Sequence, residues 1–415
     1  MRFARRAVMS GVSSVVLAAV LLGVVDRAEA STFAGRNGVL LASQLDASPF
    51  LTSSPPGVMS RANRDPVARP ADCMGTSWLW SVFPDGTHVR YLGVGDSALF
   101  APSGRRLAID FETSCYGDGG PTGLYLAAAN GTHRRHIPGN SLVGWLPSGR
   151  LIVSDEVGGT GPQRLLDALS QRVLMTLPFY WDSDSSTNVA PIALSCAGRA
   201  ASVRETRLGD ELNVFTPTGS SHAVARRTVA VARRGISDWG WAPDGRSLLF
   251  AADDGRHSPG LWRVSLDARR PRQLTRPGTG YVDSAPRWSP RGDRILFLRT
   301  GSVRGKPFVQ DAMVMKADGS RQHVIAAFPT GEPVDQGLWA PDDTSVAFPD
   351  ALLGRSSAPE IINATTGAVI HQMPFVKPTY GWLPLLDWQP LPDGHPVRCL
   401  DRQRLRTFPT SAFTG

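Results

Sequence analysis

The chain has 415 residues, 42% of them hydrophobic and 19% charged, with 42 Gly and 33 Pro. It is too long and too apolar to stay disordered, and Gly or Pro interrupts most ten-residue windows, which excludes long helices, bundles and coiled coils and leaves short strands joined by turns. The formal charge of +8 comes from 41 Arg with only Lys306, Lys316 and Lys377, and the pairs Arg105-Arg106, Arg134-Arg135, Arg226-Arg227 and Arg233-Arg234 are scattered, with no aromatic interleaving and no RNP, zinc-finger or helix-turn-helix signature; the expectation is a solvated basic surface and no nucleic-acid partner.

The first elements belong to export. Arg2, Arg5 and Arg6 precede an apolar stretch from about Val12 to Val25, and Ala28-Glu29-Ala30 closes it. This order of charge, short apolar run and small-residue site predicts a signal peptide over residues 1–30, with the mature chain starting at Ser31. Later apolar runs fall well short of the ~20 residues that cross a bilayer, so the mature chain is not expected to span one. Residues 31–74, rich in Ser, Ala, Pro and Gly, read as a linker. The globular domain is expected over 75–400, with a tail at 401–415.

That domain is repetitive. An aromatic or aliphatic residue followed by x-Pro-x-Gly and an apolar run begins at Phe100, Trp145, Trp241, Trp288 and Trp339, with weaker copies at Leu194 and Trp388. The starts are separated by 45, 49, 47, 47, 51 and 49 residues, a regularity that marks a stacked repeat. A second hairpin keeps step, with turns at Asp85-Gly86, Asn130-Gly131, Ser170-Gln171, Thr218-Gly219, Asp267-Ala268, Asp318-Gly319 and Thr366-Gly367; Asn-Gly and Asp-Gly reach the positive φ of tight hairpins at little cost. Each repeat is two hairpins, and a four-stranded sheet apolar on both faces buries them by stacking round an axis. The predicted fold is all-β, a seven-bladed β-propeller, with six blades as the alternative count.

Repeat tryptophans serve as plates between sheets in this reading. The first outer hairpin, Trp78 to Leu92, precedes every inner motif, and the last inner motif, at Trp388, has no outer hairpin after it. Joining these N-terminal outer strands to C-terminal inner strands gives a composite closing blade without free edges. On that closure Cys73 and Cys399 meet at one turn and are expected to form a disulfide, while Cys115 and Cys196 stay unpaired.

The W-S/A-P-D-G box with its following strand, then Gly260 to Thr275 ending in Gln273-Leu274-Thr275, resembles the WD-repeat-like propeller of TolB and is similar to the propeller of prolyl-oligopeptidase-type enzymes. The resemblance covers about Gly75 to Pro392. The chain departs from TolB in its seven repeats where TolB has six, and residues 31–70 do not read as TolB's separate α/β domain. With the signal peptide, the expected location is exported: periplasmic, cell-envelope-associated or extracellular.

Catalytic signatures are sparse. There is no G-x-S-x-G elbow in the mature chain and no H-E-x-x-H, and only about fifteen residues follow the last blade, so the oligopeptidase hydrolase domain is not expected. No catalytic residue and no cofactor are assigned. Acidic or amide residues recur just before the inner strands: Asp96, Asn140, Asn188, Asp238, Asp283, Asp335 and Asp387. They either converge on the channel mouth, where Asp96, Asp238, Asp283 and Asp335 are the candidate binding residues for a cation or basic peptide, or cap their own loops. The expected function is a monomeric, exported protein- or peptide-interaction module, the alternatives being an extracellular propeller hydrolase or lyase and a glycan or small-ligand sensor.

Overall fold

The computed structural model describes residues 35–46, 76–111, 123–137, 141–154, 163–177, 193–195, 199–217, 224–255, 258–301, 308–328, 337–348, 359–372 and 385–391. They form 28 strands in seven antiparallel four-stranded sheets, which make a seven-bladed β-propeller. Six blades are continuous in sequence: the first spans Ser97 to Ile137, the second Ser141 to Leu177, the third Ala193 to Ala232, the fourth Gly235 to Gln273, the fifth Tyr281 to Phe328 and the sixth Leu338 to Gln372. In each, the first strand in sequence lies at one edge of the sheet; the x-Pro-x-Gly box turns it into the second in the first, second, fourth and fifth blades, and Ala340-Pro341-Asp342-Asp343 does so in the sixth.

The closing blade corrects the sequence reading. Its order is β28 (Leu385–Leu391), β1 (Arg36–Asp46), β2 (Thr76–Val82) and β3 (Arg90–Val94). The C-terminus thus contributes one strand, not a hairpin, and the second strand comes from the segment read as a linker. β1 carries the short apolar run Val39 to Ala42 without the box that marks other repeats, so composition alone hides it. In the structure Leu40 packs toward the sixth blade beside Trp388, and the adjacent Leu41 packs toward the first beside Phe100. The hairpin of β2 and β3 lies inside the ring as its outer pair, as expected.

Alternation within single strands builds the core. In β17 (Ser247–Asp253), Leu248, Phe250 and Ala252 face the third blade while Leu249 and Ala251 face the fifth. In β21 (Arg294–Gly301), Ile295 and Phe297 face the fourth blade, and Leu296 and Leu298 the sixth. A strand apolar on both faces has a period-two pattern split between two seams, so every large side chain is a contact between blades. Phe100, Phe250, Phe297, Phe348 and Trp388 are essentially fully buried, each worth about 1.5–3 kcal/mol of apolar transfer. Trp145, Trp339 and Trp388 are buried plates as expected, whereas Trp241 and Trp288 are half-buried; Trp288 lies under the Arg263 guanidinium, 5.3 Å from ring centroid to Cζ.

Candidate binding site at the channel mouth

In a four-stranded meander the box turns and the outer hairpin turns emerge at one end, and the loops between blades at the other. Asp96 and Asp283 lie at or near the start of innermost strands, toward the loop end, and Asp238 lies midway along its strand. Their surroundings differ from a ring of free charges.

Asp283 stands in β20 (Tyr281–Trp288), fully buried, directly opposite Arg299 of β21. Its two oxygens accept from Arg299 Nε at 2.7 Å and Nη2 at 2.9 Å, a forked, charge-assisted pair. The bond to Asp283 raises the Arg299 pKa against the opposing effect of burial. Asp311, opposite Arg299 on the next strand, is raised by burial, an effect its attraction to Arg299 only offsets in part.

Asp238, in β16 (Gly235–Trp241), sits at φ +49° where the pairing with β17 slips between Ser237 and Gly240. The adjacent innermost strand repeats this: Ala285 of β20 has φ +50° where pairing slips between Ser284 and Arg287. Asp238 Oδ2 accepts the Ala285 N–H at 3.3 Å, which joins the two bulges. Positive φ at non-glycine positions costs energy and clusters at functional sites, and a bulge leaves backbone groups unpaired. Beside them Ser237 is exposed, and a Cβ placed on Gly240 would meet nothing within 4 Å. Asp96 is half-buried in front of β4 (Ser97–Phe100), its N–H donated to Asp110 O at 2.8 Å. Asp335 lies outside the described residues, as do Asn140, Asn188 and all four cysteines, Cys73 and Cys399 included.

Several carboxylates make a different connection from the expected cap on their own loop. Asp387 of β28 accepts the Phe100 N–H at 2.7 Å and its neighbour Trp388 N–H at 2.8 Å. Asp110 accepts Leu142 N–H at 2.8 Å, and Asp210 accepts Ile236 N–H at 2.9 Å. With Asp238, each binds the innermost strand of the following blade. Fully buried, Asp387 has its pKa pushed up to about 8 by desolvation, which its two N–H donors counteract.

The other end carries a matching belt of donors. Arg227 donates to Leu266 O and Ala268 O, both at 2.6 Å; Arg134 reaches Leu92 O at 3.2 Å and Arg263 reaches Ala317 O at 3.2 Å. Each of these links also crosses between blades. Some of the scattered arginines are therefore structural.

Sequence reasoning missed Asp110, Asp210 and Arg299, because they lie on strands where no repeat motif marks them. The signal for Arg299 is its register opposite Asp283, which requires the strand pairing. Ala285 carries no sequence signal at all.

These features define a seven-bladed propeller with interlocked blades and a locally opened innermost edge. No family model matches the chain. Among solved structures it is similar to a prolyl endopeptidase, at 10% identity over 83% of this chain and 49% of that one with a TM-score of 0.51. It is also similar to TolB from Acinetobacter baumannii, at 13% identity over 77% and 80% of the two chains with a TM-score of 0.41. An oligogalacturonate lyase in complex with manganese matches at 11% identity over 83% and 88%, with a TM-score of 0.49. At these identities the likeness is one of fold.

Proposed function

We propose that this chain is an exported propeller that binds a protein or peptide in the cell envelope or outside the cell, as a monomer, at the channel mouth between its fourth and fifth blades. The observation that carries this reading is the pair of facing bulges at Asp238 and Ala285, beside exposed Ser237 and the open space at Gly240. A bulge takes backbone groups out of the ladder, and those of an innermost strand not already engaged, as the Ala285 N–H is by Asp238, would accept an extended segment by main-chain hydrogen bonds, with the Asp238 carboxylate favouring a basic residue next to them. Asp283 is committed to Arg299 and acts in this reading as a support for β20, not as a ligand. The Ala28-Glu29-Ala30 site after a short apolar run supports export.

A photo-crosslinking residue at Ser237 tests the proposal, with one at Val231, exposed on an outer strand of the third blade, as control. The expected result is a defined protein adduct at position 237 that is absent at 231. Identical adducts at both positions, or none at 237, would overturn the assignment.

A further inference from the structure

Beyond that reading, the opposite end of the ring carries a second surface. There the closing, first and second blades are knitted together: Arg134 of the first donates to Leu92 O of the closing blade at 3.2 Å, and Gln171 of the second donates to His136 O of the first at 2.8 Å. Gly131 sits so close to β3 that an added Cβ would fall 2.3 Å from Leu92 O. The hairpin tips of these three blades therefore form one fixed sector of the turn face.

Two kinds of side chain project from it. Large apolar groups stand in the turns themselves: Phe83 is 40% exposed, Val89 41% and Leu169 65%. Between them Arg90, Arg105, Arg135 and Arg172 are exposed. The opposing charges are Asp85, which accepts from Thr87, and Asp167, which accepts from Ser170; these bonds lower both pKa values and keep both groups ionised. The sector remains net positive. The fourth and fifth blades also present exposed arginines at this end, such as Arg269 and Arg270, but among the described residues no large apolar side chain stands exposed in their outer hairpin turns; Val324 of the fifth blade and Val369 and Ile370 of the sixth are exposed on the strands that follow such turns.

We propose that this sector docks the protein on an anionic phospholipid bilayer surface, with Phe83, Val89 and Leu169 entering the interface and the arginines pairing with lipid phosphates. Exposed apolar groups on a rigid turn have a place in the acyl boundary and none in water, and basic side chains beside them gain from a negative leaflet within a Debye length. Arginine suits the role because its planar fork matches phosphate. A small soluble anion would use the charges alone and leave the apolar tips in water.

The test is vesicle co-sedimentation of the full mature chain, using phosphatidylcholine alone or with about one third phosphatidylglycerol. Binding is expected only to the anionic vesicles and should weaken as salt rises from roughly 0.05 to 0.5 M. Arg105→Glu with Arg172→Glu should weaken it at least about tenfold, and Phe83→Ser with Leu169→Ser comparably, with the thermal unfolding of both variants monitored. Arg269→Glu with Arg270→Glu, on the fourth blade, should have a much smaller effect. Absence of binding to anionic vesicles would overturn the proposal. So would unchanged binding in the Phe83/Leu169 variant, the result for a surface that attracts soluble anions, or an equal loss in the fourth-blade control.

Discussion

Asp387 Oδ2 accepts the Phe100 N–H at 2.7 Å, so a carboxyl near the end of the described chain holds the innermost strand of the first blade across 287 positions. β28, which carries Asp387, also delivers Trp388 into the core, its indole Nε1 donating to Gly38 O at 3.2 Å. Replacement of Asp387 by Ala leaves the Phe100 N–H buried and unsatisfied, and should cost about 1–3 kcal/mol in denaturant unfolding.

Trp388 and Trp241 occupy the same place in the repeat, but the first is fully buried and the second half-buried. Trp388→Ala should cost about 3–5 kcal/mol, and Trp241→Ala clearly less. Chemical unfolding of the two variants measures the difference; equal losses would contradict the burial argument.

The Asp283–Arg299 pair should behave as a buried ion pair. Arg299→Leu strands the Asp283 carboxylate and should destabilise by about 3–5 kcal/mol. Asp283→Asn added to it should recover part of that loss, giving a non-zero coupling in a double-mutant cycle.

Asp343 takes φ +64° in the sixth box, where other boxes have Gly, and accepts the Arg291 N–H of the fifth blade at 3.2 and 3.3 Å. Burial first, and the neighbouring Asp293 second, raise its pKa from 3.8 to about 7. The folded state therefore holds a proton that the unfolded state releases near pH 4. The associated stability is full below that point and is lost as pH rises toward 7. Asp343→Asn keeps an acceptor, tolerates positive φ and cannot ionise, so it should reduce the fall in Tm between pH 4 and 7, to which Asp387 also contributes. An unchanged Tm profile would remove Asp343 as a source of that fall.

Export is tested at the other end of the chain. Protein recovered outside the cytoplasm should begin at Ser31, after Ala28-Glu29-Ala30, by N-terminal sequencing. An intact Met1 on cytoplasmic protein would contradict it.

The repeat period, the two hairpins of the continuous blades, the count of seven and the turn positions that fall on described residues were readable in the sequence, because each is local; the turn expected at Thr218-Gly219 lies outside the described residues. Gly86, Gly104, Gly131, Gly149, Gly245, Gly292, Gly319 and Gly367 do take positive φ, and Leu-Leu-Phe-Ala-Ala in β17 shows both buried faces without a partner in view. Ring closure was only half legible. That the last blade is composite follows from the order of motifs, but its division into one C-terminal and three N-terminal strands does not, since β1 has no box and earns its place only by filling two seams at once. The candidate site was legible as positions but not as states. A carboxylate before an inner strand looks the same in sequence whether it faces a channel, pairs with an arginine or accepts an N–H from the next blade. Which of these occurs depends on groups tens to hundreds of residues away: Arg299 for Asp283, Ala285 for Asp238 and Phe100 for Asp387. Local chemistry thus determined the blades, and only the stacking of blades decided which polar groups hold the ring together.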